Sequence, residues 1–134
     1  MAHIHKEIEI GAAPDAVWDA LRDWGALHER LVPGFVTGVE LDGPDRIVTF
    51  FNGAVVREVL VASDDEARRL AWTIVNGPYR HHNGVAQVFA AGEGSRFVWT
   101  ADLLPDEAAE PTAEMMARGV EVAKETLERD AADA

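Results

Sequence analysis

Cysteine is absent from these 134 residues, which excludes disulfides, thiol catalysis and cysteine-ligated zinc. Basic side chains are scarce as well: 12 Lys and Arg stand against 24 Asp and Glu, for a formal net charge of -12. A chain this acidic repels a phosphate backbone, so nucleic acid and anionic membrane surfaces are poor partners. No apolar run approaches a bilayer span, and the opening Met1-Ala2-His3-Ile4-His5-Lys6 lacks the apolar core and small-residue cleavage site of a secretory leader. The expectation is a cytoplasmic protein with no membrane insertion. Phosphate-binding loops and dinucleotide fingerprints are missing too, since Gly92-Glu93-Gly94 precedes a strand pattern instead of a helix. Ser63 and Ser95 sit in turn contexts, and neither occupies a nucleophile elbow.

What is present is ordinary globular composition, with 48% hydrophobic and 27% charged residues. The length suits one domain over residues 1–134 that can bury a core without staples. Helical signals sit only at the two ends. His3 to Ile10 alternates, with Ile4, Ile8 and Ile10 on one face, as a strand does. Pro14 and Asp15 then open a segment whose Val17, Trp18, Leu21 and Trp24 fall at helical spacing. Gly25 breaks it, and Ala26 to Val32 predicts a second short helix stopping at Pro33-Gly34. From Phe35 to Leu104, β-branched and aromatic runs are punctuated by Asp42-Gly43-Pro44, Asn52-Gly53, Asp64-Asp65, Asn76-Gly77-Pro78 and Gly92-Glu93-Gly94. Those breaks predict about six hairpin-connected strands. Beyond Pro111, residues Met115, Met116, Gly119, Val120, Val122, Ala123, Thr126 and Leu127 form an apolar stripe at helical period. One long amphipathic helix is expected there, fraying over Asp130 to Ala134.

This order resembles the helix-grip fold of the START and birch-pollen-allergen superfamily, the SRPBCC group. The opening Lys6-Glu7-Ile8-Glu9-Ile10 followed by Ala13-Pro14-Asp15-Ala16-Val17-Trp18 resembles its polyketide cyclase/dehydrase branch, as does Val56-Arg57-Glu58-Val59. Gly77-Pro78-Tyr79, Asn83, Gly92, Val98-Trp99-Thr100 and Asp102 are similar in spacing to aromatic polyketide cyclases. The resemblance implies an α+β fold: a curved antiparallel sheet of about seven strands wrapped around a long C-terminal helix, with two short helices after the first strand. It also implies a cavity between sheet and helix that takes a small hydrophobic ligand, without a cofactor or metal. A second copy of the chain, in a homodimer, is the other partner to consider.

Candidate site residues follow from the strand alternation and this resemblance together. Leu70, Trp72 and Ile74 share one face, as do Phe97, Trp99, Ala101 and Leu103, so two tryptophans offer large apolar walls with an N–H each. Between them Gly84, Ala86, Val88 and Ala90 form a small-residue face, which either leaves space or lets the terminal helix pack close. Met115, Met116 and Gly119 present the helix to the same region, as cavity wall or as plain core. Glu58 shares a face with Val56 and Leu60, Arg57 the other with Val55 and Val59, and periodicity alone cannot choose between them. The resemblance chooses Glu58, because plant hormone receptors of this fold carry an inward carboxylate at the matching place. Arg57 points away and cannot supply a compensating cation, and the pocket arginines of aromatic cyclases have no clear counterpart beyond Arg80. Tyr79 and His81 or His82 follow a turn that in relatives lies at the cavity mouth. Tyr79 and His81 join Glu58 as candidate proton movers, and His28, with Trp24 just before it, could reach the mouth as a proton carrier. Adjacent strand residues point to opposite faces, so His81 and His82 make a poor metal pair.

Two classes of function remain open: a cyclase or dehydratase that folds a flexible substrate, or a carrier or sensor for a lipid, aromatic or polyketide-like molecule. A third is a stress-type domain acting through a partner, with Val85 or Phe89 exposed at the contact.

Overall fold

The structure, a computed structural model, describes residues 1 to 133. Alternating apolar residues make seven strands: β1 (Ala2–Ile10), β2 (Val36–Asp42), β3 (Asp45–Phe50), β4 (Val55–Asp64), β5 (Arg69–Ile74), β6 (His81–Ala91) and β7 (Gly94–Leu104). They form one sheet in the order β1-β7-β6-β5-β4-β3-β2, with every pairing antiparallel. The strands from β2 onward are thus a simple meander whose five turns coincide with the Gly, Asn, Asp and Pro breaks in the sequence. Gly92 adopts φ 58° in the last turn, a region that side chains resist. Register shifts between Val36 and Gly38 and between Leu60 and Ala62 add local twist and bend the sheet into a concave shell.

Helix α1 (Pro14–Arg22) begins at Pro14, whose missing N–H is unneeded in a first turn, and buries Val17, Trp18, Ala20 and Leu21. It ends two residues before the expected Trp24, because Asp23 takes ψ 83°, outside the helical range. Trp24–Ala26 forms a separate 3-10 turn. The expected second short helix is a wide turn over Leu27–Leu31, closed by the Val32 N–H on the Leu27 carbonyl at 3.0 Å. Arg30 ties this turn to α1 through Asp19 (2.6 Å) and Asp23 (2.9 Å). The Trp18 indole N–H donates to Asp65 at 2.9 Å, which fixes α1 against the turn between β4 and β5.

Helix α2 (Ala109–Asp133) buries Thr112, Met116, Gly119, Val120, Ala123, Thr126 and Leu127, while Met115 and Val122 of the expected stripe lie at its edges and are only partly buried. It is helical through Asp133 where fraying was expected, and Ala134 lies outside the described residues. The helix packs chiefly on β1, β7 and the 27–31 turn, leaving the concave face of β3 to β5 without a helical cover. Two polar pins hold it there. Glu128 accepts the Gly11 N–H at 2.7 Å, and Lys124 donates to the Glu9 carbonyl at 2.8 Å. Among the described residues no helix is long and apolar enough to cross a membrane.

Gly94 opens β7 where it passes the end of β1. A Cβ at this position would lie 2.5 Å from the Ile10 carbonyl oxygen, a backbone atom that cannot swing aside. Gly94→Ala is therefore expected to lower stability by about 1–3 kcal/mol, as overpacking does, in urea unfolding. An unchanged midpoint would mean that the end of β1 yields freely.

Candidate functional site

The uncovered half of the concave face and the near side of α2 enclose a cavity of about 490 Å³. Its walls are mainly apolar, from Phe35, Val56, Trp72, Ala86, Phe97, Trp99 and Met116 among others. The aromatics define its shape. Trp72 leans over Gly84, where a Cβ would meet the indole at 2.8 Å, and its ring centroid sits 6.2 Å from that of Trp99. Trp99 in turn presses on α2 at Gly119, where a Cβ would lie 2.9 Å from the indole edge and 3.2 Å from Phe35. The small-residue face of β6 is thus filled at Gly84 by Trp72 rather than by the terminal helix, and it stays open at Ala86, which lines the cavity.

Polar groups enter this apolar space along one transverse row of the sheet. Arg46 on β3 pairs across to Glu58 on β4, Glu58 to Ile74 on β5, and His82 on β6 to Leu103 on β7. Arg46 and Glu58 are almost fully buried, at 3% and 5% exposure. The guanidinium Nε donates to the carboxylate oxygen Oε1 at 2.8 Å, and Nη2 lies 2.8 Å from the same oxygen as an ion-pair contact. Its Nη1 donates to the Trp24 carbonyl at 3.1 Å, and the Trp24 ring covers its face at 3.6 Å. Burial pulls the Arg46 pKa downward while the Glu58 carboxylate opposes it, so the pair is held together by mutual need in a site that water leaves. Both Arg46 contacts with Glu58 fall on Oε1, and Oε2 takes no hydrogen bond among the described residues.

The other polar group, His82, occupies the place where β5 and β6 part. Backbone pairing between them stops at Trp72 and Gly84. Beyond it the gap is bridged by side chains: Thr73 Oγ1 donates to the His82 carbonyl, and the Ile74 N–H donates to His82 Nδ1 at 3.1 Å. Burial drives the His82 pKa down to about 4, with His81 beside it adding a smaller push. The Tyr79 ring lies tilted at 5.0 Å from the imidazole, and its hydroxyl shares a 2.6 Å hydrogen bond with Thr112, joining the 77–80 loop to the start of α2.

This is the geometry in which known relatives can be compared. A family model described as polyketide cyclase / dehydrase and lipid transport matches residues 1–132. The chain belongs to this family. Among solved structures this cyclase/dehydrase family member is similar to XoxI from Bacillus cereus, at 21% identity and TM-score 0.82, covering 99% of this chain and 97% of that one. It is similar to a norcoclaurine synthase from Thalictrum bound to a transition state analogue, at 22% identity and TM-score 0.67, with 96% of each chain covered. A third likeness is to Ara h 8.0201, at 17% identity and TM-score 0.72, over 94% of this chain and 97% of that one. These likenesses show the helix-grip fold of the SRPBCC group. No curated protein sequence matches the chain.

Within this family member, Glu58, Tyr79, Trp72, Ile74, Ala86, Trp99, Met115, Met116 and Gly119 all line the cavity. Four expected residues do not. His81 is exposed on the outer face, because alternation turns His82 inward instead. Trp24 backs Arg46 rather than facing the cavity, and its indole N–H is engaged by the Pro44 carbonyl at 3.1 Å. His28 is partly buried beside Glu29 at 3.2 Å and is not among the residues that line the cavity. Val88 is buried in the core one step beyond Ala86. Arg57 points away from Glu58, toward Asp42 and Asp45, and the compensating cation comes instead from Arg46 on the neighbouring strand. Arg80 is exposed and takes no part. Arg46 was findable, since in the Asp45-Arg46-Ile47-Val48 strand it shares a face with Val48. Its cross-strand register with Glu58 was not.

Two measurements check this site. Arg46→Met leaves the buried Glu58 charge without a partner and is expected to cost about 3–5 kcal/mol, most of which the double change Arg46→Met with Glu58→Leu should restore. Equal losses in single and double variants would mean that the pair is not coupled. For His82, the folded value of about 4 lies below the ordinary 6.5 of the unfolded chain, so the unfolded state binds the extra proton between them. Stability should be full above about pH 6.5 and fall by about 3 kcal/mol as pH drops toward 4, with His82→Gln flattening that window. An identical slope in the variant would place the imidazole in solvent.

Proposed function

We propose that the protein holds a small hydrophobic molecule, polyketide-, aromatic- or lipid-like, in this cavity, as a carrier or sensor. The observation that carries the reading is an apolar cavity of about 490 Å³ whose few polar groups converge on one row of the sheet and on its mouth. That volume lies in the range of about 300–1,000 Å³ usual for sites that enclose a small molecule. The family description, which includes lipid transport, agrees with this role. Candidate proton movers are already committed: Glu58 to Arg46, Tyr79 to Thr112, and His82 Nδ1 to the Ile74 amide. An imidazole with a pKa of about 4 is also a weak base at neutral pH.

A second reading, cyclase- or dehydratase-type turnover, is favoured by one specific feature. Glu58 Oε2 is free of protein hydrogen bonds at the cavity wall, so it is available to accept a proton from a bound substrate. The norcoclaurine synthase likeness concerns an enzyme of the same fold.

Native mass spectrometry of freshly purified protein should reveal a retained hydrophobic molecule. Titration with N-phenyl-1-naphthylamine should shift tryptophan emission, and Trp99→Phe should reduce the response, because Trp72 and Trp99 form facing walls. No retained molecule together with unresponsive fluorescence would sink the binding proposal. Conversion of the retained molecule to a dehydrated or cyclised product on standing would favour the enzymatic reading.

A further inference from the structure

We propose that His82 selects the ligand, its Nε2–H donating a hydrogen bond to an uncharged carbonyl-type oxygen near the Tyr79 end of the cavity. The inference rests on the cavity-binding reading above and adds the chemistry that the cavity recognises.

The argument begins with the tautomer. A backbone amide can only donate, so the Ile74 N–H at 3.1 Å requires Nδ1 to be the unprotonated ring nitrogen. The proton of the neutral ring therefore resides on Nε2. That nitrogen takes no hydrogen bond among the described residues, and it is the free end of a side chain that lines the cavity at 5% exposure. An N–H that faces an apolar cavity without a protein partner is satisfied by a ligand acceptor. The splayed end of β5 and β6 holds the ring in place: its position is set by the amide on one side and by the Tyr79 ring at 5.0 Å on another. Tyr79 and Thr112 hydrogen-bond to each other at 2.6 Å, which occupies one of their two hydroxyl protons and leaves the accepting hydroxyl as a second donor at this end of the cavity.

The acceptor is uncharged because the cavity has no cation to spare for an anion. Arg46 is the guanidinium among its lining residues, and its Nε and Nη2 serve Glu58 while Nη1 serves the Trp24 carbonyl. A ligand carboxylate would share the apolar space with the Glu58 charge and have only a neutral imidazole beside it. A ketone, ester or lactone oxygen meets no such penalty. Its apolar body would then extend over Ile74 and Trp72 toward Glu58, which lies two strand spacings, about 10 Å, from His82 along the same row.

The test compares two probes of nearly identical shape, 2-acetylnaphthalene and 2-isopropenylnaphthalene, which carry C=O and C=CH2 at the same place. Their affinities are measured by calorimetry on the wild-type protein, on His82→Phe, which lacks the donor, and on His82→Gln, which keeps an N–H near the position of Nε2. His82→Phe is expected to weaken the ketone by on the order of tenfold while leaving the hydrocarbon unchanged, and His82→Gln to retain most of the preference. Ring-nitrogen NMR of the wild-type protein near neutral pH should show Nε2 protonated and Nδ1 bare, a readout that stands even where the Phe variant does not fold. The Nδ1–H tautomer, or an equal effect of His82→Phe on both probes, would overturn the inference while leaving cavity binding intact. If neither probe binds, the cavity reading fails and this inference falls with it.

Discussion

The fold turns on where the terminal helix is allowed to touch the sheet. Close approach occurs at Gly119, where the absence of a side chain admits the edges of Trp99 and Phe35, and along β1, where Glu128 and Lys124 bond to the backbone of the first strand. These contacts fix α2 over β1 and β7. The rest of the concave face, bent by the irregularities in β2 and β4, has nothing of the helix against it. A cavity is the geometric result of a helix pinned to one side of a curved shell.

A cavity of this kind makes every polar group in it consequential. A buried unpaired charge is untenable, and the Arg46–Glu58 pair meets that condition with a guanidinium hydrogen bond and an ion-pair contact to one carboxylate oxygen, under the Trp24 ring. Such a pair adds little net stability over well-packed apolar residues of similar size. Its effect is to place a carboxylate at the wall, held by the Arg46 guanidinium, which Trp24 in turn holds through its carbonyl and ring. His82 achieves the same by different means, through an amide that determines which ring nitrogen carries the proton. Both arrangements hold a polar group in a fixed position at the cavity wall.

Much of the architecture was legible along the chain. The five turn signals, the alternation of β1 and the stripe on α2 each reflect a local rule, because turn residues select φ and periodic apolar residues select a buried face. The ends of elements were less legible. Asp23 and the 27–31 turn depart from helical geometry because Arg30 reaches across them to Asp19 and Asp23, an interaction between segments that periodicity does not register.

For the site, alternation placed Trp72, Ile74 and Trp99 on common faces, while the inward direction of Glu58 came from the family resemblance. Alternation could not say which of His81 and His82 faced the ligand, since one-residue steps reverse the face and the first strand residue after a loop has no fixed phase. The partner of Glu58 was equally hidden, because Arg46 meets it only through the register of β3 on β4. The sequence by itself determined the elements, their order and the polarity of their faces, all of which follow from neighbours within a few residues. Which faces confront each other across the cavity, and which charge neutralises which, was decided by tertiary structure alone, since those contacts join residues on different strands whose alignment no local pattern encodes.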